Sequence, residues 1–204
     1  MRGKPRPPRS VDDATRPGPP PARGAVFLDR DNTIIADPAP GYLHDPAAVR
    51  LLPGAREGLS ALARAGWPLV IVSNQAGIAK GLFGPEAFHA VIARLADLLL
   101  ADRVRFVDAY FCPHHPDITG PCDCRKPGIA LFERAARDHE LDLAASWYLG
   151  DRWRDVAPAL RLGGKALLVT PDGAGAEAQD AAANNVARVA DLAGAAAVIV
   201  RGVR

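Results

Sequence analysis

Five short apolar runs alternate along the chain with segments of helical period: AVFLD (25–29), PLVIVS (68–73), VDAYF (107–111), SWYLG (146–150) and KALLVT (165–170). Such an alternation admits few folds. The connections must be right-handed crossovers, the sheet parallel, and both of its faces covered by helices. Residues 54–65 set Ala55, Leu59, Leu62 and Ala63 on one helical face, with Gly66 as the stop. Pro85 opens a helix that runs to about Leu100. Further helices are predicted over 127–139, from the fourth strand to Leu162, near 175–183 and from about 190, with a short strand near 185–188. Residues 30–53, and NQAGIAKGLFG after the second strand, read as irregular loops. The expectation is an α/β, Rossmann-like single domain over 25–204.

Charge separates that body from what precedes it. Residues 1–24 hold six Lys/Arg, two Asp and seven Pro, so they carry +4 and leave −2 for the rest. With almost no aliphatic residues, this segment cannot offset its ordering entropy and is expected to be a disordered tail. The net +2 therefore belongs to the tail and does not call for a nucleic-acid partner. No apolar run approaches the length of a membrane span, and no apolar core follows the first arginines as a secretory signal requires. An odd cysteine count without such a signal points to a reducing, cytoplasmic setting. No repeat or exposed heptad calls for an oligomer, so a monomer is expected.

Sites in parallel sheets lie beyond the carboxyl ends of the strands. There the sequence places Asp29-Arg30-Asp31-Asn32-Thr33, Ser73-Asn74-Gln75, the stretch from Cys112 to Pro127, and Gly150-Asp151 with Asp155 one turn later. One Asp after a strand is an ordinary capping residue. Four polar clusters after four successive strands are not explained by capping. Asp29, Asp31 and Asp151 would converge at one sheet edge, where their repulsion calls for a hard, oxygen-seeking cation such as Mg²⁺. One carboxylate is then free to attack phosphorus. A second, two residues on along an extended backbone, can protonate the leaving oxygen and later activate water. The Ser73 hydroxyl, nearby backbone N–H groups and the Lys126 ammonium would hold the phosphoryl oxygens. The set fits Mg²⁺-dependent phosphoryl transfer through an aspartyl phosphate. A P-loop and a GxGxxG motif after the first strand are both missing, which argues against NTPase or dinucleotide chemistry.

All three cysteines fall within 13 residues, in the pattern C-x-H-x7-C-x-C. Three thiolates and one imidazole make a closed tetrahedral set for structural Zn²⁺. The alternative, buried apolar thiols, suits CPHHPDITGPCDC poorly because that stretch is polar and proline-rich. Cys112, Cys122 and Cys124 would be ligands, with His114 or His115 as the fourth. Zinc there would stiffen the loop and fix Arg125 and Lys126 over the phosphate.

The strings FLDRDNT, SNQ, RKP and GDRWRD, in this order after the four strands, resemble the four motifs of the haloacid dehalogenase superfamily, in its phosphatase branch. The resemblance implies that Asp29 is the nucleophile and Asp31 the acid/base. It implies that Asp29, the Asp31 carbonyl and Asp151 bind Mg²⁺, that Ser73 and Lys126 position phosphate, and that Asp155 supports the metal site. Asn32 stands where the family usually has Gly, and Asn is the next-best residue for a left-handed backbone.

GYLHDP (41–46), SNQAGIAKG (73–81), CPHHP (112–116) and CDCRKP (122–127) further resemble the D-glycero-D-manno-heptose 1,7-bisphosphate phosphatases and their relatives, the histidinol-phosphate phosphatases. This likeness spans roughly 25–198 and implies a small sugar or amino-alcohol phosphate as substrate, with His114 as the zinc ligand. Members lack a large cap domain, and the 41 residues between Asp31 and Ser73 leave no room for one. The double His, GYLHDP and IAKG favour the heptose enzymes. The seven-residue zinc spacer approaches the histidinol pattern. A zinc-stabilised binding module without activity is a third reading, opposed by the intact Asp29, Asp31, Lys126 and Asp151. Asp37, Gly41 and Tyr42 are candidate substrate contacts, although Tyr42 could equally be a packing anchor for its loop. Asn74, Gln75 and Ala76 are favoured for substrate or phosphate contact, and the planar fork of Arg125 suits a second phosphate or carboxylate.

Overall fold

Alternate residues of the first strand face opposite ways, and each finds a separate helical layer. The computed structural model describes residues 23–38, 41–171 and 175–202. All but the last two residues of the expected tail over 1–24 lie outside the described residues. Strand β1 (Val26–Leu28) sends Val26 and Leu28 into one core and Phe27 into another. The first core is closed by helices α1 (Ala55–Arg64), α3 (Pro85–Leu99) and α9 (Leu192–Arg201). The second is closed by α5 (Ala130–His139) and α7 (Pro158–Leu162), with Phe27 stacked on Tyr148 and edge-on to Phe132. A strand buried on both sides must be apolar throughout, which is why these runs show no polar alternation.

Strands β2 (Leu69–Asn74), β3 (Phe106–Cys112), β4 (Trp147–Gly150), β5 (Lys165–Val169) and β6 (Ala187–Val189) complete a six-stranded sheet of order β3-β2-β1-β4-β5-β6. All five pairings are parallel. The expected Rossmann-like α/β sheet with both faces covered is therefore present. β1 has β2 on one side and β4 on the other, so the crossovers diverge at its carboxyl end and open a crevice there. Between β1 and β2 the chain forms only a short 3₁₀ turn (Pro46–Ala48) and α1; no cap domain occurs among the described residues.

The departures from expectation are local. The loop after β2 contains a short helix, α2 (Ala76–Ala79), and the cysteine loop contains another, α4 (Pro116–Thr119). Helix α5 begins at Ala130, not Pro127, because residues 125–128 close a turn in which Gly128 donates to the Arg125 carbonyl at 2.7 Å. The helix expected from β4 to Leu162 is two pieces, α6 (Trp153–Val156) and α7, because Pro158 has no N–H with which to continue the first. Helix α8 (Ala176–Ala183) precedes β6, and α9 starts at Leu192, capped by the Asp191 carboxylate on the Gly194 N–H at 2.8 Å.

Candidate active site and metal-binding loop

The sheet ladder continues one residue past β1: the Asp29 N–H donates to the Leu149 carbonyl at 2.8 Å. This fixes Asp29 at the mouth of the crevice. The chain then turns sharply, with Asn32 at φ 59°, the left-handed region expected of it. A small cavity of about 140 Å³ lies here, lined by Asp29, Asp31, Asn32, Asp37, Tyr42, Asn74, Asp151, Arg152, Arg154 and Asp155.

Carboxylate oxygens of Asp29, Asp151 and Asp155 lie within 4.8 Å of one another. Lys126 answers part of their charge: its ammonium, 1% exposed, donates to Asp29 Oδ1 at 2.7 Å and to the Val72 carbonyl at 2.6 Å, and pairs with Asp155 Oδ1 at 2.9 Å. The two oxygens of Asp155 serve different partners, since Oδ2 accepts the Arg152 N–H at 3.1 Å and so caps α6. Gly150 leaves room for this arrangement; a Cβ there would lie 2.2 Å from the Asp155 Cβ. Burial pushes the Asp29 carboxyl well above the usual range; Lys126 opposes this, but Asp155, Asp31 and Asp151 reinforce it. Burial, then Asp155, raises Asp151 to about 6. Arg152 lies 3.1 Å from Asp151 and Arg154 4.0 Å from Asp155, and both oppose the rise at Asp151 without cancelling it. The three carboxylates offer the all-oxygen donor set that a hard divalent cation requires.

Asp31 lines the same cavity but faces a different neighbourhood. Arg30 clasps both of its oxygens, Nε to Oδ1 at 2.8 Å and Nη2 to Oδ2 at 3.0 Å, and the Gln75 amide donates to Oδ2 at 2.8 Å. The same amide donates to Ser73 Oγ at 2.8 Å, leaving Ser73 Oγ 3.5 Å from Asp31. Of the three carboxylates expected to cluster, Asp31 is therefore held apart, and Asp155, expected only as a support, brings its oxygens beside Asp29 and Asp151.

Several candidate substrate contacts have structural partners. Asn74 lines the cavity and grips the Lys126 backbone, Nδ2 to its carbonyl at 3.2 Å and Oδ1 from its N–H at 3.0 Å. The Gln75 side chain is buried and turned onto Asp31 and Ser73, away from the cavity. Ala76 is buried at the start of α2, and Gly41 is exposed and lies outside the cavity lining. Asp37 accepts the Leu43 N–H at 2.7 Å, and Tyr42 accepts from Lys80 at 2.9 Å; both line the cavity. Arg125 donates to the His114 carbonyl at 3.2 Å, so its guanidinium faces the cysteine loop.

In that loop, ligand atoms of Cys112, His114, Cys122 and Cys124 lie within 4.8 Å of one another. The sulfur–sulfur distances are 3.7, 3.2 and 3.4 Å, and His114 Nδ1 lies 3.2 and 3.7 Å from Cys124 and Cys112. A tetrahedron with zinc–sulfur bonds near 2.3 Å has sulfur–sulfur edges of about 3.8 Å; the Cys112–Cys122 edge matches, and a small outward shift of Cys124 would seat one such ion. Burial, together with the neighbouring thiols, pushes Cys124 far above the ordinary thiol value. Three thiolates in one place need a cation. His114, and not His115, brings a ring nitrogen beside the sulfurs, while His115 Nδ1 accepts the Asp117 N–H at 3.3 Å and caps α4.

Neither Arg30 nor Arg152 is among the residues expected at the site. Arg30 is 1% exposed, the largest fully buried side chain, with Phe88 5.2 Å from its guanidinium carbon. Its signal was present: an arginine between two acids, after a strand buried on both faces, has nowhere to go but inward. Arg152 reaches Asp151 at 3.1 Å and pairs with Glu177 of α8, a contact across 25 residues that no local pattern announces.

A family profile described as HAD-hydrolase-like matches residues 123–197. The chain is 39% identical over 176 residues to a D-glycero-β-D-manno-heptose-1,7-bisphosphate 7-phosphatase of Photorhabdus laumondii, covering 82% of this chain and 92% of that protein. It is 39% identical over 177 residues to the enzyme of the same name from Escherichia coli K12, covering 82% and 91%. Among solved structures, it is similar to D,D-heptose 1,7-bisphosphate phosphatase from B. bronchiseptica, complexed with magnesium and phosphate: TM-score 0.75, 28% identity, 88% of this chain and 99% of that one.

Proposed function

The chain belongs to the D-glycero-β-D-manno-heptose-1,7-bisphosphate 7-phosphatase family of HAD-like hydrolases, and we propose that it removes the 7-phosphate of that sugar bisphosphate through an aspartyl-phosphate intermediate. The observation that carries the mechanism is the meeting of Asp29, Asp151 and Asp155 around one cavity at the carboxyl edge of β1 and β4, with the buried Lys126 ammonium paired to Asp29 and Asp155.

In this reading Asp29 attacks phosphorus. It is held by the Leu149 carbonyl below and by the Lys126 ammonium at its side. Asp31, in its protonated form, gives its proton to the sugar oxygen as the P–O bond breaks, then as a carboxylate takes one from the water that releases phosphate. Lys126 and Ser73 hold the phosphoryl oxygens. Asp29, Asp151 and the Asp31 carbonyl would hold Mg²⁺, with Asp155 beside them. When bound, that ion supplies positive charge against the phosphate and the acids. Zn²⁺, on Cys112, His114, Cys122 and Cys124, would stand outside the chemistry and hold in place the loop that ends in Arg125 and Lys126. The cavity reaches Asp37 and Tyr42, which suits a small polyol phosphate.

The test is phosphate release with Mg²⁺ from the heptose bisphosphate and from histidinol phosphate side by side. The heptose substrate is expected to turn over at least about a hundredfold more efficiently, a difference of about 2.7 kcal/mol in transition-state binding. Equal turnover of both would remove the substrate assignment. Asp29→Asn should abolish release from either; retained activity would remove the covalent intermediate.

A further inference from the structure

Arg30 is the one fully buried charge of the site that the mechanism above does not use. It is 1% exposed and makes bonds to three separate pieces of chain. Nε and Nη2 take the two oxygens of Asp31. Nη2 also lies 3.2 Å from the Gln75 side-chain oxygen on the β2 edge and 3.2 Å from the Leu43 carbonyl, in the loop that carries Asp37 and Tyr42. Nη2 has two hydrogens and faces three acceptors. Leu or Met would fill the space beside Phe88 without taking a charge out of water. What an apolar residue cannot supply is the two-pronged grip on a carboxylate.

We propose that Arg30, aided by Gln75, is a positioning residue that fixes the orientation of the Asp31 carboxyl toward the leaving oxygen and ties it to the loop bearing Tyr42. The inference rests on the reading of Asp31 as the proton donor. Gln75 completes the clamp at the same oxygen: its amide nitrogen spans Asp31 Oδ2 and Ser73 Oγ while its oxygen faces Arg30 Nη2, so Gln75 links the acid/base to the phosphate-holding hydroxyl. A carboxyl free to rotate would still reach the leaving oxygen, but for only part of the time.

The proton step gives the test. Asp31 transfers its proton to the alkoxide oxygen as the bond to phosphorus breaks, leaving an alcohol and a carboxylate. An alkyl phosphate needs that proton; p-nitrophenyl phosphate, whose leaving oxyanion is stable, needs it far less. Arg30→Met and Gln75→Met should therefore lower the ratio of kcat for the heptose bisphosphate to kcat for p-nitrophenyl phosphate by about tenfold to a hundredfold, part of the range typical of general acid catalysis. Asp31→Asn sets the limit. KM for the alkyl substrate should move less than kcat. Arg30→Lys keeps the charge without the fork and should recover little of the ratio. A wild-type ratio in the Met variants, or an equal fall with both substrates, would overturn the assignment. So would a crystal structure of Arg30→Met, or of Gln75→Met, with Asp31 in its present rotamer. If the substrate reading fails, another alkyl phosphate the enzyme hydrolyses serves for the ratio, so the two failures are told apart.

Discussion

Lys126 carries more of the site than any other single residue. Its ammonium sits between Asp29 and Asp155, each buried and each within 2.9 Å, with the Val72 carbonyl behind it. Both acids raise its affinity for a proton against the opposing effect of burial, so it stays charged. Lys126→Met would leave the buried Asp29 carboxylate without a counter-charge and Asp155 with only Arg154, 4.0 Å away, and the Arg152 N–H. Without added Mg²⁺ it is expected to lose about 3–5 kcal/mol in urea unfolding, and phosphate release should fall by at least about a hundredfold. Asp151 makes a second prediction, with a definite sign. Its carboxyl, raised to about 6, keeps a proton in the folded protein that the unfolded chain, at 3.8, has given up. Its contribution to stability is present below the unfolded value and is lost as pH rises through about 6. In Mg²⁺-free buffer, stability should decline by on the order of 1–2 kcal/mol from about pH 4.5 to 6.5. Asp151→Asn should remove this share of the decline and leave the part that the raised Asp29 carboxyl contributes, and thermal melts across the window check it. Roles of this kind were readable where the residue type has one chemistry, as at Asp29. They were not where the partner is remote: nothing near Gln75 says that its amide turns inward to Asp31.

At the scale of elements, strand and helix identity followed from period and punctuation, while the loops held the surprises. β1, β2 and β4 were legible because a strand buried on both faces has to be a short unbroken apolar run. α2 and α4 were not, because four residues are too few to show a period. The cysteine loop was legible in composition but not in path. It leaves β3 at Cys112, passes through α4 and returns to the Asn74 side chain by way of Lys126, whose own carbonyl and N–H are both held there. Apart from α4 the loop has little regular structure, and Cys112, His114, Cys122 and Cys124 gather at its base. Metal analysis of the purified wild-type protein is expected to find one zinc per chain, and Cys124→Ser to remove most of it. Since Arg125 and Lys126 follow directly, kcat should drop by about tenfold to a hundredfold, the usual cost of disturbing a supporting shell. Full zinc content with full activity in that variant would count against the ligand set.

For the whole molecule, the topology follows from the strand–helix alternation, and the crevice at the end of β1 follows from the topology. What the alternation does not say is which strands flank which. The order β3-β2-β1-β4-β5-β6 puts the first strand in the middle, between partners that begin at Leu69 and Trp147. No helix among the described residues is long and apolar enough to cross a membrane. The expected separation of a basic tail from a slightly acidic body concerns residues that lie almost wholly outside the described ones, whereas the acidity of the body is visible at its centre, in Asp29, Asp151 and Asp155.

That central place of β1 has a consequence for how the protein comes into being. The bond from Lys126 to Asp29 closes a loop of 97 residues, and that from Ala25 to the Ser146 hydroxyl one of 121. Each pays its closure entropy before any contact rewards it, so folding belongs with the slower, high-contact-order class. A nascent chain that has emerged only as far as β3 holds Asp29 and Asp31 but neither Lys126 nor Asp151. The candidate site gains Lys126 next and is complete only once β4, which ends one residue before Asp151, has docked beside β1.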